Sequence, residues 1–140
     1  MKFFMLILTL LFFNLYVYGQ ADSVVLGHGG GFSGEKIQYK ITSGEISRGQ
    51  GLITVNYHSS AKGKKRQIQC ILKTALDLAG SQKPVNDPSN TYNFLYIYHH
   101  GTAVRYTWNP NRSASFPVHN FYTDILKTID SLNFKQYEAQ

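Results

Sequence analysis

Tyr92, Phe94, Tyr96 and Tyr98 alternate with Asn93, Leu95 and Ile97 in one unbroken run. After His100-Gly101 the alternation returns, with Val104, Tyr106 and Trp108 opposed to Arg105 and Thr107. A period of two puts successive side chains on opposite faces, so both runs read as strands. His100-Gly101 suits a tight connection, which makes the pair a hairpin. Apolar or amphipathic residues on both faces of Tyr92–His99 place that strand inside a sheet rather than at its margin. A chain with this hairpin is committed to a β-sheet, and its other segments must find places on that sheet.

Two segments repeat their apolar residues at helical spacing. Ile68, Ile71, Leu72, Ala75, Leu76 and Ala79 predict an amphipathic helix from about Lys65 to Ala79, with Gly80 just past its end. Cys70 falls within this segment and is expected to be a buried small hydrophobe. Val118, Phe121, Tyr122, Ile125, Ile129 and Leu132 predict a second helix from Val118 to Leu132, with Pro117 in its first turn after Ser115 or Phe116. Before the first helix, Ser23–Leu26 is a short apolar run. Ile37, Tyr39 and Ile41 alternate with Lys36, Gln38 and Lys40 as a half-buried strand. Ser43-Gly44 is a turn signal. Beyond it, Glu45 to His58 reads as a hairpin or bulged strand pair, with Ile53, Val55 and Tyr57 on one face. Ser59–Lys65 reads as a loop, as does Ser81–Asn90 with Pro84 and Pro88. The tail, residues 133–140, is polar and expected to fray.

The predicted order is βββ-α-ββ-α. The fold class that satisfies it is α+β, a single antiparallel-rich sheet with two amphipathic helices packed on one face. The 140 residues suggest one domain, and no internal repeat is evident. Met1-Lys2 precedes an apolar run from Phe3 to Tyr18 interrupted only by Thr9 and Asn14. Val17 and Gly19 are small enough for a signal peptidase site, so residues 1–19 read as a signal peptide cut after Gly19. The run is short of the roughly 20 residues needed to span a bilayer, which leaves no stable membrane anchor after cleavage. Lys2 would leave with the leader, taking Lys+Arg from 14 to 13 against 8 Asp+Glu, a net charge of +5. The expected location is therefore secreted or periplasmic. Cys70 is the single cysteine, so the chain must fold on packing without an internal disulfide.

Between the first two strands lies Gly27-His28-Gly29-Gly30-Gly31-Phe32-Ser33-Gly34. Phosphate loops of the Walker type need Lys-Ser/Thr and a helix after the glycines, and the dinucleotide fingerprint needs a helix there too. Here a strand follows, so neither applies. Two readings stay open. The stretch is a close-packed bend, or it is an exposed loop that touches a partner. Burial of Phe32 favours the first and exposure the second.

No catalytic constellation emerges. The five histidines lack metal-ligand spacing, and His99-His100 should point to opposite faces of a strand. Gly31-Phe32-Ser33-Gly34 lacks the strand-turn-helix setting of a nucleophile elbow. The carboxylates form no close pair. The chain is read as no enzyme, with no cofactor and no metal. Lys62, Lys64, Lys65 and Arg66 form one basic run, which reads as a solvated loop and helix start rather than a nucleic-acid site.

Gly30-Gly31-Phe32-Ser33-Gly34 carries the pattern Gly-Gly-Phe-x-Gly. With the order that follows (amphipathic helix, aromatic hairpin, Pro-initiated final helix) it resembles the emfourin family. Emfourins are small protein inhibitors of thermolysin-like metallopeptidases, known beside the protealysin type of protease. The chain is also similar to secreted proteins of Bacteroidetes-type bacteria that open with Gly-Gly-Gly-Phe-x-Gly. The resemblance implies a monomeric protein-binding module that occludes a metallopeptidase cleft with the Gly29–Lys36 loop. Phe32 would be the anchor, in a backbone kept open by Gly30, Gly31 and Gly34, with Ser33, Glu35 and Lys36 as flanking contacts. The other class left open is a cell-envelope structural or small-ligand-binding domain without inhibitory activity.

Overall fold

The structure is a computed structural model that describes residues 19–112 and 115–137. The expected leader lies outside the described residues except for Gly19. Eight strands form one sheet, in the order β5-β7-β6-β1-β2-β3-β4-β8. They are β1 (Ser23–Gly30), β2 (Lys36–Ile41), β3 (Ile46–Gly51), β4 (Asn56–Ala61), β5 (Val85–Asp87), β6 (Thr91–His99), β7 (Thr102–Trp108) and β8 (Lys135–Gln136). Among the described residues two helices, α1 (Lys65–Ser81) and α2 (Phe116–Asp130), complete an α+β fold.

The aromatic hairpin forms as its pattern predicts. β6 pairs antiparallel with β7, and His100 and Gly101 turn the chain with φ of 47° and 75°. β6 also pairs with β1, so it is an inner strand. Both helices pack against one face. Val24, Leu26, Ile41, Ile46, Leu95, Ile97, Tyr106 and Trp108 supply the sheet side of the core. Ile68, Ile71, Leu72 and Ala75 of α1, with Val118, Tyr122, Ile125 and Ile129 of α2, supply the other. Each fully buried Leu or Ile here contributes roughly 1.5–3 kcal/mol of apolar transfer. Two buried phenols under the helices are partnered. Tyr106 Oη donates to the Gln82 carbonyl at 3.1 Å, near the end of α1, and Tyr122 Oη donates to Gly27 O at 3.0 Å. Burial pushes both phenols above the usual tyrosine range.

Several expectations need correction. The sheet expected to be antiparallel-rich is mixed, because β5, inside the segment read as a loop, runs parallel to β7. Four strands precede α1, since the segment read as one strand pair extends to Ala61 and is bulged between Arg48 and Gly49. Leu52–Val55 is the connection and not a strand. Gly80 lies inside α1, and Gln82 closes it by donating its amide to Leu78 O. Cys70 is exposed, one residue round the helix from the buried Ile71. Residues 133–137 of the tail do not simply fray, and 138–140 lie outside the described residues. β8 pairs with β4, and the Phe134 ring packs on Tyr39 at 6.0 Å. Among the described residues no helix is long and apolar enough to cross a membrane.

Candidate functional site

The glycine stretch divides in two. Gly27 and Gly29 are residues of β1, opposite Phe94 and Tyr92 of β6. A Cβ on Gly27 would run into the Ile37 carbonyl oxygen and come within 2.9 Å of the Phe94 ring. One on Gly29 would meet the Tyr92 hydroxyl at 3.0 Å and its ring at 3.1 Å. The two aromatics therefore lie across β1 in space that only glycine leaves. Gly49 of β3 admits the Tyr57 ring in the same way, at 3.0 Å.

The chain leaves the sheet at Gly30. Gly30, Gly31 and Gly34 take φ of 91°, 78° and 67°, in the left-handed region that side chains disfavour. The loop is pinned at its base and across its middle. Gly30 N donates to Glu35 O at 3.2 Å, Gly31 N to Asn90 O at 2.7 Å and Gly34 N to Gly31 O at 3.2 Å. Phe32 stands at the tip with a relative exposure of 110%. Ser33 is exposed beside it, and its Oγ accepts from Glu35 N at 3.3 Å.

The other two expected flanking residues turn away from the tip. The Glu35 carboxylate accepts from Gln50 Nε2 on β3. The Lys36 ammonium lies over the Phe94 ring, 5.0 Å from its centroid, on the open face of the sheet. A neighbouring loop replaces them. Lys36 pairs with Gly51, so the β1–β2 and β3–β4 connections leave the same end of the sheet side by side. The second connection carries Leu52 and Ile53, at 66% and 99% exposure. Large apolar side chains left in water are informative when grouped. Among the described residues Tyr137 is the one other large hydrophobe that stands exposed. Sequence reasoning missed Leu52 and Ile53 because Ile53, Val55 and Tyr57 alternate like a strand. The glycines at 49 and 51, directly ahead of the apolar pair, were the available signal.

The histidines do not gather. Among the described residues no group of three His, Cys, Asp or Glu could hold a metal ion. His99 and His100 do meet, with ring centroids 4.0 Å apart, contrary to strand alternation. The left-handed backbone of His100 swings its ring back over its neighbour. The basic run at Lys62, Lys64, Lys65 and Arg66 is exposed at the start of α1. No family model and no curated protein matches the chain.

Proposed function

We propose that the chain is a protein-binding module that inhibits thermolysin-like metallopeptidases by steric occlusion. The observation that carries this reading is the complete exposure of Phe32 at the tip of a loop tied down by its own backbone. Such a peptidase accepts extended substrate in a cleft over zinc. The Gly29–Lys36 loop is narrow, because Gly30, Gly31 and Gly34 present no side chains. Phe32 would fill an apolar subsite and contribute roughly 1.5–3 kcal/mol on full burial. The pinned backbone loses little further freedom on binding, which favours affinity. Leu52 and Ile53 stand next to the first loop and would rest on the cleft rim. Export with cleavage after Gly19 goes with this reading. The packing of Ala21, whose amide donates to Leu72 O at 3.0 Å, begins beyond the cut and would survive it.

The test is a titration of the purified protein against thermolysin and a protealysin-type peptidase. Stoichiometric loss of activity is expected. Phe32→Ala should raise the inhibition constant about 30-fold or more, the range of an interface hot spot, while leaving Tm in place. Full peptidase activity at high micromolar excess of the wild-type protein would remove the proposal. N-terminal sequencing of the exported protein should begin at Gln20. The alternative, a ligand-binding domain of the cell envelope, draws on the uncovered face of the sheet and not on the loop.

A further inference from the structure

The helices cover one face of the sheet, and the described residues leave the other open. Alternation and register decide what lies there. Lys40 pairs with Val25, Val25 with Tyr96, and Tyr96 with Arg105. In the other direction Lys40 pairs with Ser47, Ser47 with Ser60, and Ser60 with Lys135. One straight row therefore crosses the sheet from β7 to β8, with cations on its first, fourth and seventh strands. At about 4.8 Å per strand these cations stand about 14 Å apart. Lys40, Arg105 and Lys135 are all exposed. The ion pairs found among the described residues, Arg112 with Asp87 and Lys127 with Asp124, involve none of them. Among the described residues no Asp or Glu occupies a strand position on this face. Glu45, in the β2–β3 turn, reaches its margin at Ser47 Oγ, 3.4 Å away.

Two hollows sit along the row and share Tyr96. One, of about 370 Å³, has Lys40 beside Ser23, Gln38, Tyr57 and Tyr98, over the floor of Val25. The other, of about 460 Å³, has Arg105 beside Asn86 and Thr107. Both volumes fall within the roughly 300–1,000 Å³ of small-ligand sites. Their linings combine aromatic surface with hydroxyl and amide groups. Gln38 Nε2 donates to Tyr57 Oη, which leaves the Tyr57 proton free to donate outward.

We infer that this face binds an acidic polysaccharide laid across the strands, with carboxylates at Lys40 and Arg105 and sugar hydroxyls in the two hollows that flank Tyr96. The cations call for an anion, and the hydroxyl- and amide-lined hollows suit a polyhydroxylated one. The Tyr96 ring between them lies under the Arg105 guanidinium, 5.7 Å from its centroid, and holds that cation in place. A nucleic acid fits less well. Its bases need open aromatic faces. Phe94 instead is fully buried, with Tyr92 and Tyr96 at ring-centroid distances of 6.2 and 5.2 Å and Lys36 above it.

The experiment measures binding of the purified protein to immobilised polygalacturonate, alginate, neutral dextran and poly(U) at one fixed ionic strength. Saturable binding to an acidic polysaccharide and none to dextran is expected. Lys40→Ala and Arg105→Ala should each weaken it on the order of tenfold, the loss of one charge-assisted contact. Tyr96→Ala should weaken it too. All three side chains reach the surface, and circular dichroism at the assay temperature confirms that each variant is folded. Neutralising Lys62 and Lys64 together, at the start of α1, should leave binding unchanged. Absence of binding to both acidic polysaccharides overturns the proposal. So does equal binding to dextran, tighter binding to poly(U), or a loss in the Lys62/Lys64 variant as large as that of Lys40→Ala.

Discussion

Gly27 and Gly29 on one side, and Gly31 and Gly34 on the other, belong to the same run of sequence yet answer opposite demands. The first pair sits in the centre of the sheet, where Phe94 and Tyr92 need the volume a side chain would take. The second pair stands in or near solvent, where Gly34 has nothing within 4 Å of a built Cβ. There the requirement is angular, a positive φ that lets the chain turn around Phe32. A glycine-rich stretch is thus two devices in series, a packing surface followed by a hinge-free display loop.

Substitutions should separate the two. Gly27→Ala is expected to cost about 3 kcal/mol, because the obstacle is the Ile37 carbonyl of a neighbouring strand, which cannot step aside. Urea denaturation measures this, and a loss no larger than that of Gly34→Ala would erase the distinction. Tyr122→Phe removes the phenol that donates to Gly27 O and should cost about 1–2 kcal/mol. It should also alter behaviour in base. Burial raises the folded-state pKa of Tyr57, Tyr106 and Tyr122, so their protonated forms favour the folded state. That stability is whole below the ordinary tyrosine value of about 10 and drains away as pH rises beyond it. Tyr122→Phe should flatten this fall, and an unchanged slope between pH 9 and 12 would contradict the role of its burial. Gly34→Ala, strained in φ but sterically free, should cost about 1 kcal/mol. Phe32→Ala should change stability by less than about 0.5 kcal/mol. A larger loss in thermal melts would mean that the loop tip packs on the domain rather than serving a partner.

The elements that could be read from sequence were those whose signal is local. The β6–β7 hairpin carries its alternation and its turn within eighteen residues, and each helix shows its stripe directly. β5 escaped because three residues between Pro84 and Pro88 have no period, and their partner is β7, twenty-one residues on. β8 escaped for a similar reason, since backbone pairing to β4 holds it without any pattern of its own. The division of the glycines was hidden because Phe94 and Tyr92 lie more than sixty residues from the glycines they cover. Phe32 was singled out by its setting. Leu52 and Ile53 were not, because adjacency of two loops is a property of strand order.

The margins of the sheet carry a further consequence. An eight-stranded sheet that ended in two long flat strands would offer a second molecule a ready template for continued pairing. Here the outermost strands are three and two residues long, Val85–Asp87 and Lys135–Gln136. Pro84 and Pro88 bracket the first, and the second is polar. Short, proline-flanked and charged margins are how sheets resist running on from one molecule into the next. The same chain can therefore carry exposed apolar loops and an open aromatic face while closing the route by which such surfaces turn into fibrils.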